Sequence, residues 1–366
     1  MAEVQDLSLP SQTAFCSSVA DDVWHDQKAQ KAYEWWHFDA LSDDGTEAVA
    51  ITFTDNNVFS TQYAHPFVTK EPIPSARQSS SDRSPAVSFL YWADGRTSVK
   101  SVDQYSASDF EASRERPECR IGENSFRTHS AEYGIGYVVE IDLPLMNGGR
   151  VAASFEWLSV DADLTSSSGT AGHSLGWNLV AARSDVSGRI DVFGADGRST
   201  KTAHFRGTGY HDHIRGTEAI YEDVTFRQWG RAHFVDITAV YCIRKGRDNE
   251  PLDAKLVLTQ DREITVYPVE FHPRQNHRDK FGIKYPMQID LDTGGGAHLG
   301  VTVIKPIDST FYNVRFLSEM KLETSDGKTR TAAALTAILS PANMRYRLVR
   351  WFAERQSSKN DFRSSV

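Results

Sequence analysis

Residues 207–234 read GTGYHDHIRGTEAIYEDVTFRQWGRAHF, and within them Tyr210, His211, Asp212 and His213 set four polar, proton-handling side chains in a row. Gly207, Gly209 and Gly216 bracket that row. Glycine permits positive φ and close backbone approach, so the bracket predicts a bent or bulged strand end. In a regular strand, Asp212 and Tyr210 share one face while His211 and His213 take the other. A bulge would bring all four to one cavity. Strand propensity gives no reason for a His-Asp-His run, so the reason is sought in chemistry. After Gly216 a second strand-like run leads to an aromatic and basic cluster: Phe226, Arg227, Trp229 and Arg231.

Short β-like runs flank this stretch on both sides. Tyr33–Ala40, with Glu34-Trp35-Trp36-His37-Phe38-Asp39, and Glu47–Thr54 read as a hairpin across the Ser42-Asp43-Asp44-Gly45 turn. Alternation sends Glu34, Trp36 and Phe38 to one face and Trp35, His37 and Asp39 to the other, so both faces carry a large aromatic. Further strands are expected at 86–92, 97–105, 124–129, 136–143, 150–157, 176–182, 187–193 and 199–207. Others follow at 232–243, 255–259, 263–271, 288–292, 299–305 and 315–324. Strands every 8–14 residues or so, separated by Gly-rich turns, are the pattern of an all-β sandwich or barrel. Lys70–Pro85 is Pro/Ser-rich and reads as a loop. One helix is expected, over Pro341–Arg355, with Pro early and Met344, Leu348, Trp351 and Phe352 at helical spacing.

Composition narrows the function classes. A 366-residue chain with 40% hydrophobic and 24% charged residues is an ordinary globular protein, with room for two domains. Its net charge of −9 argues against a nucleic-acid surface. No apolar run approaches the ~20 residues needed to span a bilayer. The start, MAEVQDLSLPSQTAF, has neither a basic region nor an apolar core, so no signal peptide is expected. Cys16, Cys119 and Cys242 are widely spaced, as suits a reducing cytoplasm, and form no zinc or redox motif. No P-loop, G-x-G-x-x-G or Ser-His-Asp order is found, so no cofactor is indicated.

Three readings of Tyr210–His213 remain open: a structural hydrogen-bond network, a metal site through His211 and His213, and proton chemistry centred on Asp212. The metal reading lacks further ligands at helpful spacing, and none is assigned. Asp212 with Tyr210 leads the catalytic candidates, followed by the two histidines. Trp35, Trp36, Phe38 and Trp229 read either as core or as a wall with π-faces toward an apolar ligand. Glu34 and Asp39 flank that wall and need partners if buried, which Arg206, Arg227 or Arg231 could provide.

At these residues the chain resembles a known family. Glu34-Trp35-Trp36-His37-Phe38-Asp39 looks like the E-W-W-x-F-D opening of the carotenoid 1,2-hydratase (hydroxyneurosporene synthase) and AttH-like proteins. Gly207–His213 and Trp229-Gly230-Arg231-Ala232 are similar to their G-x-G-Y-x-D-x-N and W-x-R-A segments, although Ile214 replaces a residue that tends to be polar in the hydratases. The resemblance implies two lipocalin-like β-barrel domains packed together, with a pocket where they meet. The expected layout is an N-terminal tail (1–31), two barrels (32–215 and 216–340) and a C-terminal helix and tail (341–366). It also implies cofactor-independent chemistry on a small apolar substrate, an isoprenoid, polyene or polyketide-terpenoid. Acid-assisted hydration or cyclisation with Asp212 as the acid is one form, and a Diels-Alderase or hetero-Diels-Alderase is another. A lipocalin-like carrier without chemistry is the third alternative.

Overall fold

The computed structural model describes residues 13–27, 29, 31–60, 63, 83–131, 134–164, 175–246, 250–346 and 349. Twelve strands form the first sheet. They are β1 (Thr13–Cys16), β2 (Tyr33–Ser42), β3 (Ala48–Thr54), β4 (Ala86–Ala93), β5 (Arg96–Gln104), β6 (Phe110–Ala112), β7 (Glu118–Ile121), β8 (Asn124–Ala131), β9 (Gly134–Pro144), β10 (Arg150–Ala162), β11 (Leu175–Phe193) and β12 (Ser199–Gly216). Their order is β5-β4-β3-β2-β12-β11-β10-β9-β8-β7-β6, with β1 parallel to the start of β11. The sheet curls on itself, so that Ser101 on β5 donates to the Pro144 carbonyl on β9 at 2.6 Å.

The second sheet follows a short helix, α1 (Ile220–Asp223). It holds β13 (Phe226–His233), β14 (Thr238–Lys245), β15 (Leu252–Gln260), β16 (Glu263–Pro268), β17 (Glu270–Arg278), β18 (Lys284–Asp292), β19 (Ala297–Ser309), β20 (Asn313–Thr324) and β21 (Thr329–Leu339). The order is β16-β15-β14-β13-β21-β20-β19-β18-β17. The fold is therefore all-β, two lipocalin-like barrels, as expected.

Each barrel is filled by one face of its strands. Trp36, Phe38, Val49, Ile51 and Phe53 meet Phe126, Tyr137, Phe155 and Trp157 inside the first. Tyr241, Leu256, Ile289, Leu299, Met320 and Leu322 fill the second. Period-2 alternation then leaves Trp35, His37 and Asp39 on the outer face of β2, turned toward the second sheet. A smaller apolar cluster joins the sheets through Leu41, Ala48 and Trp92 on one side and Ile307, Leu317 and Leu335 on the other.

Several expectations need correction. The strand expected over 232–243 is two strands, because the Phe234 amide donates to the Ile237 carbonyl at 2.8 Å and turns the chain. The strands expected at 176–182 and 187–193 are one continuous β11, and the run expected at 199–207 continues through the motif to Gly216. β21 went unseen. Residues before Lys31 are more than a tail: Thr13–Cys16 is a strand, and Asp22 is wholly buried in the first barrel. Pro341–Arg345 is one turn of 3₁₀ helix, and most of the helix expected beyond it lies outside the described residues, as does most of the Lys70–Pro85 loop.

The bracketing glycines do not bulge β12. Its pairing with β2 runs unbroken from Gly207↔Ser42 to Gly216↔Tyr33, and none of the three has positive φ. The irregularity lies in β11, where register shifts fall between Asn178 and Ala181 and between Ala181 and Ser184. The glycines serve close packing instead. A Cβ on Gly209 would sit 2.4 Å from Trp157 Nε1 and 2.5 Å from Val186 Cγ2. Gly209→Ala should therefore lower unfolding stability by about 1–3 kcal/mol through overpacking, measured by urea denaturation. An unchanged midpoint would show that the Trp157 ring yields freely.

Candidate functional site

β12 separates its four motif residues cleanly. His211 and His213 point into the first barrel, and Tyr210 and Asp212 point out toward the second sheet. The two histidines therefore do not share a cavity with Asp212, because β12 stays regular through the motif.

Inside the barrel a buried polar network forms around Asp22 and Glu34. Asp22 Oδ2 accepts from Tyr137 Oη at 2.8 Å and faces His211 Nε2 at 3.0 Å. His213 lies between two carboxylates, with Nδ1 3.3 Å from Asp22 Oδ1 and Nε2 3.1 Å from Glu34 Oε2. His25 Nδ1 reaches the same Glu34 oxygen at 3.2 Å. Trp36 stacks on His213 (4.6 Å between centroids) and Phe38 on His211 (3.8 Å), so these two aromatics are core. Burial by itself would hold Asp22 and Glu34 high, but their imidazole partners overcome it and bring both to about 2. Burial would likewise lower His213, yet its hydrogen bonds to Asp22 and Glu34 lift it to about 9. Sequence reading missed Asp22 and His25, although Asp21-Asp22-Val23-Trp24-His25 is a visible cluster of charge beside an aromatic.

His25, Glu34 and His213 each offer one ligand atom, all within 4.8 Å of one another. Arg215 closes on His25 from the far side and donates to Asp21 at 2.9 Å. A guanidinium at that point opposes a cation, and the group reads as a charge-balanced structural network.

On the outer face a cleft runs between the sheets, with a cavity volume of about 130 Å³. Its floor follows one row of register partners, Asp212↔His37↔Thr52↔Ser88↔Val102, across five strands. Trp35, Phe59 and Trp229 supply aromatic walls, with Phe59 stacked on Tyr312 at 4.1 Å. Asp212 is 2% exposed. Its Oδ2 accepts from Tyr210 Oη at 2.9 Å and lies 3.6 Å from Arg227 Nη2, while Oδ1 is buried with no hydrogen-bond partner among the described residues. Burial, with Asp212 beside it, pushes the Tyr210 phenol well above its ordinary range, which keeps it a donor. Arg227 also lies over the Trp229 ring at 5.3 Å.

Asp39 is placed differently. Arg231 Nε reaches its Oδ1 at 2.6 Å from the second sheet, and His37 Nε2 lies 3.3 Å from Oδ2. Burial opposes its charge, but Arg231 leads the neighbours that bring it down to about 2. Of the residues singled out from sequence, Asp212, Trp35 and Trp229 line the cleft, with Tyr210 behind Asp212. Asp39 and Arg231 lock the sheets beside it, and Glu34, Trp36, Phe38, His211 and His213 lie in the first barrel.

No family model matches the chain. A protein named hydroxyneurosporene dehydrogenase from Chlorobaculum tepidum is 22% identical over 343 residues, covering 90% of this chain and 88% of that protein. A structure assigned to AttH from Nitrosomonas europaea is 14% identical, covers 88% of this chain and 95% of its own, and superposes with a TM-score of 0.57. CghA, solved with Sch210972, is 11% identical, with 92% and 96% covered and a TM-score of 0.56. The resemblance drawn from the two motifs holds in these comparisons, and the chain has the AttH-like fold. Among the described residues no helix is long and apolar enough to cross a membrane.

The buried network sets a pH dependence of stability. His213 is raised from 6.5 to about 9, so its contribution is complete below 6.5 and lost as pH rises through 9. Asp22 and Glu34 are lowered to about 2, so theirs is present above about 4.5 and lost as pH falls through 2. Burial raises Asp55 to about 7, which adds a separate loss between 3.8 and 7. Urea unfolding should therefore show stability falling between pH 6.5 and 9, by a smaller amount in His213→Gln. An identical slope in the two proteins would remove His213 from this role.

Proposed function

We propose that the chain is a cofactor-independent enzyme that transfers a proton between Asp212 and a C=C bond of an apolar isoprenoid or polyene, giving hydration or cyclisation. One observation carries this reading. A buried carboxyl lies on the floor of an aromatic cleft with one oxygen held by Tyr210 and the other without a hydrogen-bond partner among the described residues. The name of the Chlorobaculum tepidum relative, which refers to hydroxyneurosporene, supports a polyene as the substrate class.

Alkene protonation needs a strong, dry acid and a place for the cation. A solvated carboxylic acid near pKa 3.9 is too weak. Here the proton is delivered from Oδ1. The charge left on Asp212 is then taken up by the Tyr210 hydroxyl and the Arg227 guanidinium, both already in place. Trp35 and Trp229 present ring surface to the same cleft, where a tertiary cation gains from π-faces. Capture by water gives an alcohol once the oxonium returns a proton to the Asp212 carboxylate, and capture by a second alkene gives a ring whose new cation then loses a proton to the same carboxylate. His37, the register partner of Asp212, lines the same cleft and is the imidazole placed to return the proton, a role that His211 and His213 are turned away from.

A second reading has its own support. Arg227 is a donor lining the cleft, able to polarise a carbonyl while the walls fold a reactive polyene for a pericyclic closure. Turnover of acyclic terpenoids and carotenoids in D₂O separates the two. Proton transfer places solvent deuterium on carbon, whereas a pericyclic closure does not. Asp212→Asn should cut the proton-transfer reaction by at least ~10²–10⁴-fold, with substrate affinity kept within a few-fold. Deuterium-free product, or an Asn variant with near-native rate, would exclude Asp212 as the acid. Stoichiometric binding without turnover would make the protein a carrier.

A further inference from the structure

The cleft has a second polar end. On β5, Lys100 Nζ donates to Asp308 Oδ1 at 2.6 Å, and on β20 Arg315 Nη1 reaches Asp308 Oδ2 at 3.4 Å. All three residues line the same cleft as Asp212. Two cations against one carboxylate leave this end net positive, in a cleft whose walls are mainly apolar. Arg315 Nε is buried and has no acceptor among the described residues. Desolvation, with the positive charges of Arg315 and Lys280, also pulls the one-third-exposed Lys100 ammonium below its ordinary range in spite of Asp308. A buried N–H without an acceptor, beside an excess cation in a cleft, fits an anionic ligand oxygen.

The spacing defines what such a ligand looks like. Asp212 is on β12 and Lys100 on β5, with β2, β3 and β4 between them. Four inter-strand steps at ~4.8 Å each make about 19 Å along the sheet, less across its curl. The row of strands flooring the cleft therefore carries Asp212 on one outer strand and Lys100 on the other.

We propose that Lys100 and Arg315 receive the anionic oxygen head, a carboxylate or an enolate, of an elongated amphiphilic polyene whose unsaturated tail reaches Asp212. The tail's position rests on the function proposed above, but the head subsite is tested separately from it. The substrate is then a chain acid or acidic polyketide-type polyene, and a symmetric hydrocarbon fits less well. The reaction that supplies it is one that ends in a free acid or an acidic enol.

The probe is cis-parinaric acid against its methyl ester, titrated below micelle formation and followed by probe fluorescence. In the wild-type protein the acid should bind ~10-fold tighter than the ester. Lys100→Gln and Arg315→Gln should each bring that ratio toward one while leaving the ester's Kd within two-fold. Asp308→Asn removes the internal competitor, so it should raise the ratio, an outcome that misfolding does not produce. Equal affinities for acid and ester in the wild type would overturn the head subsite and leave the apolar cleft standing. A preference that persists in both Gln variants would overturn it as well. Failure of both probes to bind would overturn the subsite together with the polyene reading.

Discussion

Two carboxylates buried at the seam between the sheets dictate how the halves of this molecule sit together. Asp39 on β2 and Asp212 on β12 each meet an arginine of β13, Arg231 at 2.6 Å and Arg227 at 3.6 Å. Between these pairs His37 meets the edge of Trp229 at 90°. A buried ion pair adds little net stability over an apolar one, but removing one partner costs about 3–5 kcal/mol because it strands the other charge. Sliding one sheet by a residue would strand both carboxylates at once. The seam therefore selects one docking geometry, and the cleft is the space that geometry leaves open beside it.

The opposite face of the same two strands is held just as firmly. His211 and His213 are clamped by Asp22 and Glu34 and stacked on Phe38 and Trp36, so β12 is pinned from inside the barrel. Alternation then carries that rigidity outward. A strand that cannot rotate cannot re-aim Asp212 or Tyr210, which is what a group working at fixed distance from a substrate requires. His211 and His213 thereby fix the stretch of backbone that carries Asp212 between them and Tyr210 just before them.

What could be read from sequence follows from which signals are local. Alternation in Tyr33–Ser42 separated Trp35, His37 and Asp39 from Glu34, Trp36 and Phe38 correctly, because period 2 is a property of one strand. Asp212 with Tyr210 was ranked ahead of the histidines on the same ground. The glycines misled, since close approach to Trp157 or to Tyr33 depends on a neighbouring strand that the local sequence does not show. β21, TRTAAALTAIL, was missed because its alanines carry little β preference. The turn at 234–237 was missed because Phe-Val-Asp-Ile reads as continuous strand. Lys100, Asp308 and Arg315 come from three strands more than two hundred residues apart at their extremes, so no local pattern announces them. Ser17–His25 looked patternless because its role is to fill a barrel end, where no periodicity is imposed.

The contrast between the two seam carboxylates bears most directly on function. Asp39 has both oxygens engaged, Oδ1 by Arg231 and Oδ2 by His37, and it has the form of a structural ion pair. Asp212 is equally buried but is half-used: its arginine stands back at 3.6 Å, Tyr210 holds one oxygen, and Oδ1 has no hydrogen-bond partner among the described residues. An unpaired buried oxygen costs roughly 1–3 kcal/mol, and a residue serving stability alone would close that gap with a shorter contact to Arg227. The residue with the unspent hydrogen-bonding capacity is also the one that lines the apolar cleft. That coincidence separates Asp212 from Asp39, whose charge is answered by Arg231 and His37.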